Sequence, residues 1–300
     1  MNDLVQIGID AASPHPFDNT QVLELFYQSS IGRSNYNAGL LTLTKRNAAG
    51  LTFSLNYTYS KSLDQTSLNQ NGLADLVSSF FPNLDYGPSD FDRRHIFSGY
   101  GVYELPFGRG KRFLNSSGFV DRIAGGWFLS GIYVVRSGVP LTVSEGGQVF
   151  GGSDVLTTNV GAIPTQAPNF GNDIHTGVTG SNKVGVSGNP TTGGTGLNLF
   201  ADPAAVLGNF RPIDLASDTR DGRGVLRGLP FWNLDVGVGK ATRITERVRL
   251  QFSMDFINVF NHVVFNNPSS LSLQNPAAFG VLTTQNNNPR QLQAGLRLEF

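Results

Sequence analysis

The chain has 300 residues, of which 15% are charged, with zero net charge and no cysteine. The balanced charge gives no electrostatic footprint for a nucleic-acid partner. The missing thiols exclude a disulfide framework, a thiolate metal site and a cysteine nucleophile.

The first residues, MNDLVQIGIDAASPHPF, have neither a basic n-region nor an apolar h-region, so no export signal is read there. No stretch approaches the roughly 18 consecutive apolar residues of a membrane helix. A weak strand candidate is QVLELFYQ (21–28). Residues 37–46 read as a strand with Gly39, Leu41 and Leu43 on one side, and Asn47-Ala48-Ala49-Gly50 as a short hairpin turn. The clearest signal is LTFSLNYTYS (51–60). Leu51, Phe53, Leu55, Tyr57 and Tyr59 alternate without error with Thr52, Ser54, Asn56, Thr58 and Ser60. Strands follow at 94–105 and 127–141, separated by FVDRIAG (119–125), which predicts one or two helical turns. Trp232, Leu234, Val236 and Val238 alternate with Asn233, Asp235, Gly237 and Gly239, and a tight link at 241–246 leads to RVRLQFSMDFINVF (247–260). The last strand is QLQAGLRLEF (291–300), with Leu292, Ala294, Leu296, Leu298 and Phe300 on one face.

The pattern predicts an all-β chain of about seven or eight antiparallel strands, many close to the length that crosses a bilayer when tilted. The tight links alternate with long ones rich in Gly, Asn, Ser, Thr and Pro, at 62–92, 145–230 and 263–290. Short turns on one side and long extracellular loops on the other are the habit of an outer-membrane β-barrel. The connection at 106–126 falls on the short side and is longer than that habit predicts. Alternation alone fits two arrangements. In a soluble β-sandwich, serving as a binding module or adhesin, the apolar faces pack on each other. In a barrel they face lipid. Ser, Thr, Asn, Gln and Gly on the polar faces, aromatics near strand ends and the loop parity favour the membrane.

Several stretches, in order along nearly the whole chain, carry a family resemblance: SNYNAGLLTLTKR (34–46), GLTFSLNYTYSKSLD (50–64), SDFDRRHIFSGYGVYELPFGRGKRF (89–113), GGWFLSGIYVVRSGVPLTV (125–143), LRGLPFWNLDVGVGKATRITERVRLQF (226–252), DFINVFNHVVFNNP (255–268) and PRQLQAGLRLEF (289–300). Together they resemble the C-terminal barrel region of TonB-dependent outer-membrane receptors of the Oar-like group. The resemblance implies a barrel of about 22 strands, occluded by an N-terminal plug, that takes up a scarce ligand with energy passed on by TonB. Residues 1–300 then correspond to the last third of that barrel, without plug or signal peptide, and belong in the outer membrane. The implied partners are outer-membrane lipid, the barrel-assembly machinery, the missing N-terminal barrel and plug, and TonB through that plug.

The charges Arg247, Arg249, Asp255, Arg297 and Glu299 are expected to face the lumen and to pair across neighbouring strands. Leu296, Leu298 and Phe300 are expected to act as the assembly signal, since the terminal Phe resembles the mark that barrel-assembly machinery reads. Asp90-Phe91-Asp92-Arg93-Arg94-His95 is the densest ionisable cluster and reads as a salt-bridged rim where a long loop re-enters a strand. Phe107-Gly108-Arg109-Gly110-Lys111 lacks phosphate-loop spacing and reads as a Gly-rich turn. The four histidines, His15, His95, His175 and His262, lack metal-ligand spacing. No nucleophile, base and orienter converge, so no enzyme, cofactor or metal is expected.

Overall fold

The computed structural model describes residues 32–67, 83–115, 118–145, 161–165, 196–214 and 217–300. The expected strand at 21–28 lies outside them. Seven long strands form the frame: β1 (Ser34–Ala48), β2 (Leu51–Asp64), β3 (His95–Glu104), β4 (Trp127–Arg136), β5 (Phe231–Arg243), β6 (Arg249–Ile257) and β7 (Gln291–Glu299). Each pairs antiparallel with the next in sequence, and the short strand Gly87–Pro88 adds to the end of β2. The sheet does not close: β1 and β7 are its two edges.

Turn chemistry sets the register at one end. Ala48 pairs with Leu51, leaving a two-residue loop of Ala49 and Gly50, both left-handed at φ 55° and 78°. That conformation suits the twist of a hairpin. Between β5 and β6 the chain turns through residues 244–248, where Thr245 Oγ1 accepts from the Arg247 and Val248 amides. The third link at this end holds helix α1 (Phe119–Ala124), a fold of the 119–125 segment as the sequence predicts.

Register then aligns the apolar faces of all seven strands. One row across the sheet reads Lys45, Phe53, Gly101, Gly131, Val236, Phe256, Leu292. The row on the other face reads Thr52, Val102, Ser130, Gly237, Asp255, Gln293. A one-residue slip anywhere would send a strand's side chains to the wrong face. Among the described residues no second sheet covers the apolar face, and Leu41 and Leu296 at the two edges stay 68% and 72% exposed. This excludes the β-sandwich arrangement for the described residues. The polar face is less uniform than the sequence predicts, because Tyr100, Val102 and Ile132 lie on it.

Two strand ends differ from expectation. The strand from Trp127 stops at Arg136, not at residue 141. The Ser137 amide closes the ladder on the His95 carbonyl, and Gly138 then passes so near Gly228 that a Cβ would lie 1.9 Å from its carbonyl oxygen. Leu141 and Pro140 instead pair with Leu226 and Arg227 in the loops. The strand expected from residue 247 begins at Arg249, leaving Arg247 exposed in the turn before it.

The tightest packing is in the long loops at the other end of the sheet. Phe279, Leu199, Leu282 and Val143 are fully buried there, with Phe200 stacked on Phe279 at 5.6 Å between ring centres. Short strand pairs tie the segments together: Leu197–Asn198 with Val281–Leu282, and Ile163–Pro164 with Phe210–Arg211. Helix α2 (Pro203–Gly208) is started by Asp202, which accepts from the Ala205 amide, and by Pro203 at its first position.

Candidate functional site: a loop cap stapled to the sheet

The folded loops form a cap joined to the β2 and β3 ends by two arginines of segment 217–230. Arg223 donates from Nη2 to Asp64 Oδ1 at 2.7 Å and to Ser67 Oγ at 2.6 Å, and from Nη1 to the carbonyls of Asp64 and Asp85. Asp90 stands 3.7 Å away on the same guanidinium. Arg227 donates to Asp92 Oδ2 at 2.6 Å, and the Asp92 side chain is 1% exposed. Asp92 also accepts the Ser62 amide at Oδ1, and Ser62 and Ser89 share a hydroxyl bond at 2.8 Å. Both arginines are thus planar forks neutralised by carboxylates in a partly dry setting, the geometry guanidinium suits best.

Around this staple the ionisable groups are shifted by burial or by partners. Desolvation pushes Asp221 up to about 6, although the Gly161 and Arg223 amides donate to it. Burial raises Glu145 as well, against the Ile213 amide it accepts. The Arg211 fork, 2.7 and 2.6 Å from the two oxygens of Asp218, holds that carboxyl below its ordinary value. His262 lies flat on Trp232 with ring centres 4.0 Å apart, and burial lowers its pKa. Asn258, left-handed at φ 51°, organises the end of β6. Its side chain donates to the His262 and Asn288 carbonyls and accepts the His262 amide. Chemically the cap is a set of neutralised charges holding separate loops to the strand ends. Among the described residues no group of three or more His, Cys, Asp or Glu side chains is placed to hold a metal ion.

The expected rim cluster takes part: Asp90 and Asp92 face the two arginines, and Arg93 donates to the Ser137 carbonyl. The five expected lumen charges are not gathered into one site. Arg249 and Asp255 lie on the polar face of β6, with Arg249 opposite Glu299 in the ladder. Arg297 pairs with Glu299 along its own strand at 3.3 Å, not across strands. Arg247 is off the sheet, in the turn. Leu296 and Leu298 lie on the apolar face of the edge strand, and Phe300 at the end is 98% exposed. Sequence reasoning missed Arg223, Arg227, Asp64 and Asp221. The signal present was the arginine spacing in RDGRGVLRG (220–228), which holds only the two-residue strand Leu226–Arg227.

A single-layer antiparallel meander, apolar on one face and polar on the other, with short turns at one end and a folded cap at the other, is the wall of a membrane barrel. A strand of ten residues extends about 33 Å, and at a tilt of about 40° it crosses roughly 25 Å, the height of an outer-membrane apolar band. Residues 4–293 match the model of the outer membrane beta barrel domain family, and the chain belongs to that family. No curated protein and no solved structure matches it. In such barrels the short turns face the periplasm, the long loops face outward and the apolar face meets lipid. The cap therefore belongs to the outer surface of the outer membrane.

Proposed function

We propose that these strands are the C-terminal wall of a TonB-dependent receptor of the Oar-like group, and that the cap stands at the mouth through which its ligand enters. The observation that carries this is the cap itself. The long connections after β4 and after β6 are packed around a shared apolar core, and Arg223 and Arg227 staple them to the β2 and β3 ends. Packed outer loops give a receptor a shaped, pre-organised surface where ligand arrives. The motifs in Oar order support the same reading. So do the unpaired edges of β1 and β7, which in lipid require further strands beside them.

On this reading β1 and β7 meet strands from a preceding part of the same polypeptide, which also supplies the plug and its TonB contact. The test is the reading frame upstream of Met1. Further alternating strands and a plug are expected in frame, and uptake by the complete protein should stop when TonB is deleted. A stop codon directly upstream, with no such frame, would overturn the proposal.

A further inference from the structure

The connection at 105–126 is the one long link at the short-turn end, and the receptor reading gives it no task. It is folded. The Phe113 amide donates to the Pro106 carbonyl, the Gly108 amide to Phe113, and the Arg109 amide to Asp121 Oδ1 at 2.6 Å. Gly108, at φ 105°, packs so close to Gly125 that a Cβ would sit 2.6 Å from its Cα. Yet this ordered element leaves its large apolar side chains outside. Phe119 is 76% exposed, and Val120 and Ile123, on the same side of α1, are 48% and 57% exposed. Phe113 and Leu114 are also exposed. Six-residue helices gain little from propensity, so an apolar stripe turned to solvent needs a covering surface.

Where α1 is anchored says which surface. The Trp127 indole Nε1 donates to the Ile123 carbonyl at 2.9 Å. Lys240 Nζ donates to the Ile123 and Gly125 carbonyls and lies 4.8 Å from the centre of the Trp127 ring. Trp127 and Lys240 are cross-strand partners in a row of the apolar face. The helix is therefore held at the foot of the lipid-facing side. Its terminal carbonyls neutralise the cation that this face would otherwise carry into lipid. The link also holds Arg109, Lys111, Arg112 and Arg122 against the single carboxylate of Asp121. Lys111 is answered by Glu104 at 2.7 Å, while among the described residues no carboxylate pairs with Arg109, Arg112 or Arg122, and Arg112 lies over the Phe113 ring at 5.3 Å.

We propose that residues 105–115 and 118–126 form an interfacial foot. Phe119, Val120 and Ile123 enter the periplasmic leaflet, and Arg109, Arg112 and Arg122 bind anionic phospholipid headgroups. The occupant is lipid because the stripe is continuous with the lipid-facing sheet and is flanked by cations that no described carboxylate pairs with. This inference rests on the barrel family and the facing of the sheet, not on the transport reading.

The test is site-specific labelling of the full-length protein, to which this chain contributes no native cysteine. Phe119→Cys and Ile123→Cys carry an environment-sensitive fluorophore in vesicles of phosphatidylethanolamine with or without phosphatidylglycerol. Leu129→Cys serves as the lipid-facing reference and Glu246→Cys as the water-facing one. Expected are a blue shift, quenching by spin-labelled lipid and protection from iodide at positions 119 and 123. The lipid signal should grow with phosphatidylglycerol and shrink in the Arg112→Glu/Arg122→Glu background. Iodide quenching equal to that at Glu246→Cys overturns the foot while Leu129→Cys still reports lipid. Protection from both quenchers points to a protein partner and also overturns it. A signal indifferent to phosphatidylglycerol overturns the headgroup assignment. Water exposure at Leu129→Cys would indict the facing of the sheet itself.

Discussion

Removing Arg227 should loosen the cap far more than removing both members of its pair. Asp92 is 1% exposed and Arg227 is 25% exposed, with 2.6 Å between Oδ2 and Nη2. Arg227→Met keeps much of the apolar stem but strands a carboxylate, leaving it the Ser62 amide and a more distant Arg94 at 4.0 Å. Breaking a buried pair by removing one partner costs about 3–5 kcal/mol, most of it from the unpaired charge. Adding Asp92→Asn removes that charge and keeps an acceptor for Ser62, so the double variant should recover more than half of the loss. Opening of the cap can be read by limited proteolysis of segment 217–230 in the assembled full-length barrel, under conditions where the open population sets the cleavage rate. A cost of about 3–5 kcal/mol corresponds to cleavage faster by roughly 150- to 5,000-fold. Equal cleavage of the single and double variants would refute the reasoning, since the penalty would then not come from a stranded charge.

Phe252 lies on the apolar face of β6 and Gln251 on the other. Phe252→Arg should destabilise the assembled barrel by about 2–4 kcal/mol near the midplane, and Gln251→Arg by much less, read by urea unfolding in vesicles. The reverse order would mean the facing is inverted. Asp221 titrates near 6 when folded against 3.8 ordinarily, so the folded cap binds more protons between those values. Cap stability should therefore fall by about 2–3 kcal/mol as pH rises from 4 to above 6, then level off. Hydrogen exchange of the cap, corrected for intrinsic rates, should show this slope, and Asp221→Asn should flatten it. Deleting Phe300 from the full-length protein should reduce the heat-modifiable, membrane-inserted fraction, and unchanged insertion would show that the terminal aromatic is not read.

The wall was legible because its information is local. Leu51 to Ser60 announces a two-sided strand without any knowledge of its neighbours, and Ala49-Gly50 announces the turn that sets its register. Strand ends were less legible. Gly138 and Pro140 stand just past Arg136, but the packing of Gly138 on Gly228 comes from far along the chain. The cap was nearly invisible for the same reason. Arg223 and Asp64 are separated by 159 positions, and neither sits in a pattern that announces the other. Phe279 follows a proline-started turn that looks like any surface loop, yet it is completely buried. The charges on β6 and β7 were readable as one face, but the pairing of Arg297 with Glu299 along β7 depended on rotamers that spacing does not encode.

The same contrast in separation sets an order in time. Each long strand pairs with the strand before it, and at the β1–β2 and β5–β6 turns little loop entropy opposes that pairing. The staple joins residues on β2 to residues just ahead of β5, and the apolar knot joins Leu199 to Phe279. Neither can form until the intervening strands stand side by side. The cap therefore waits on β5 and on the chain after β6, and a chain stalled before them has part of a wall but no finished cap. A surface probe that recognises the folded cap would pass over such stalled chains.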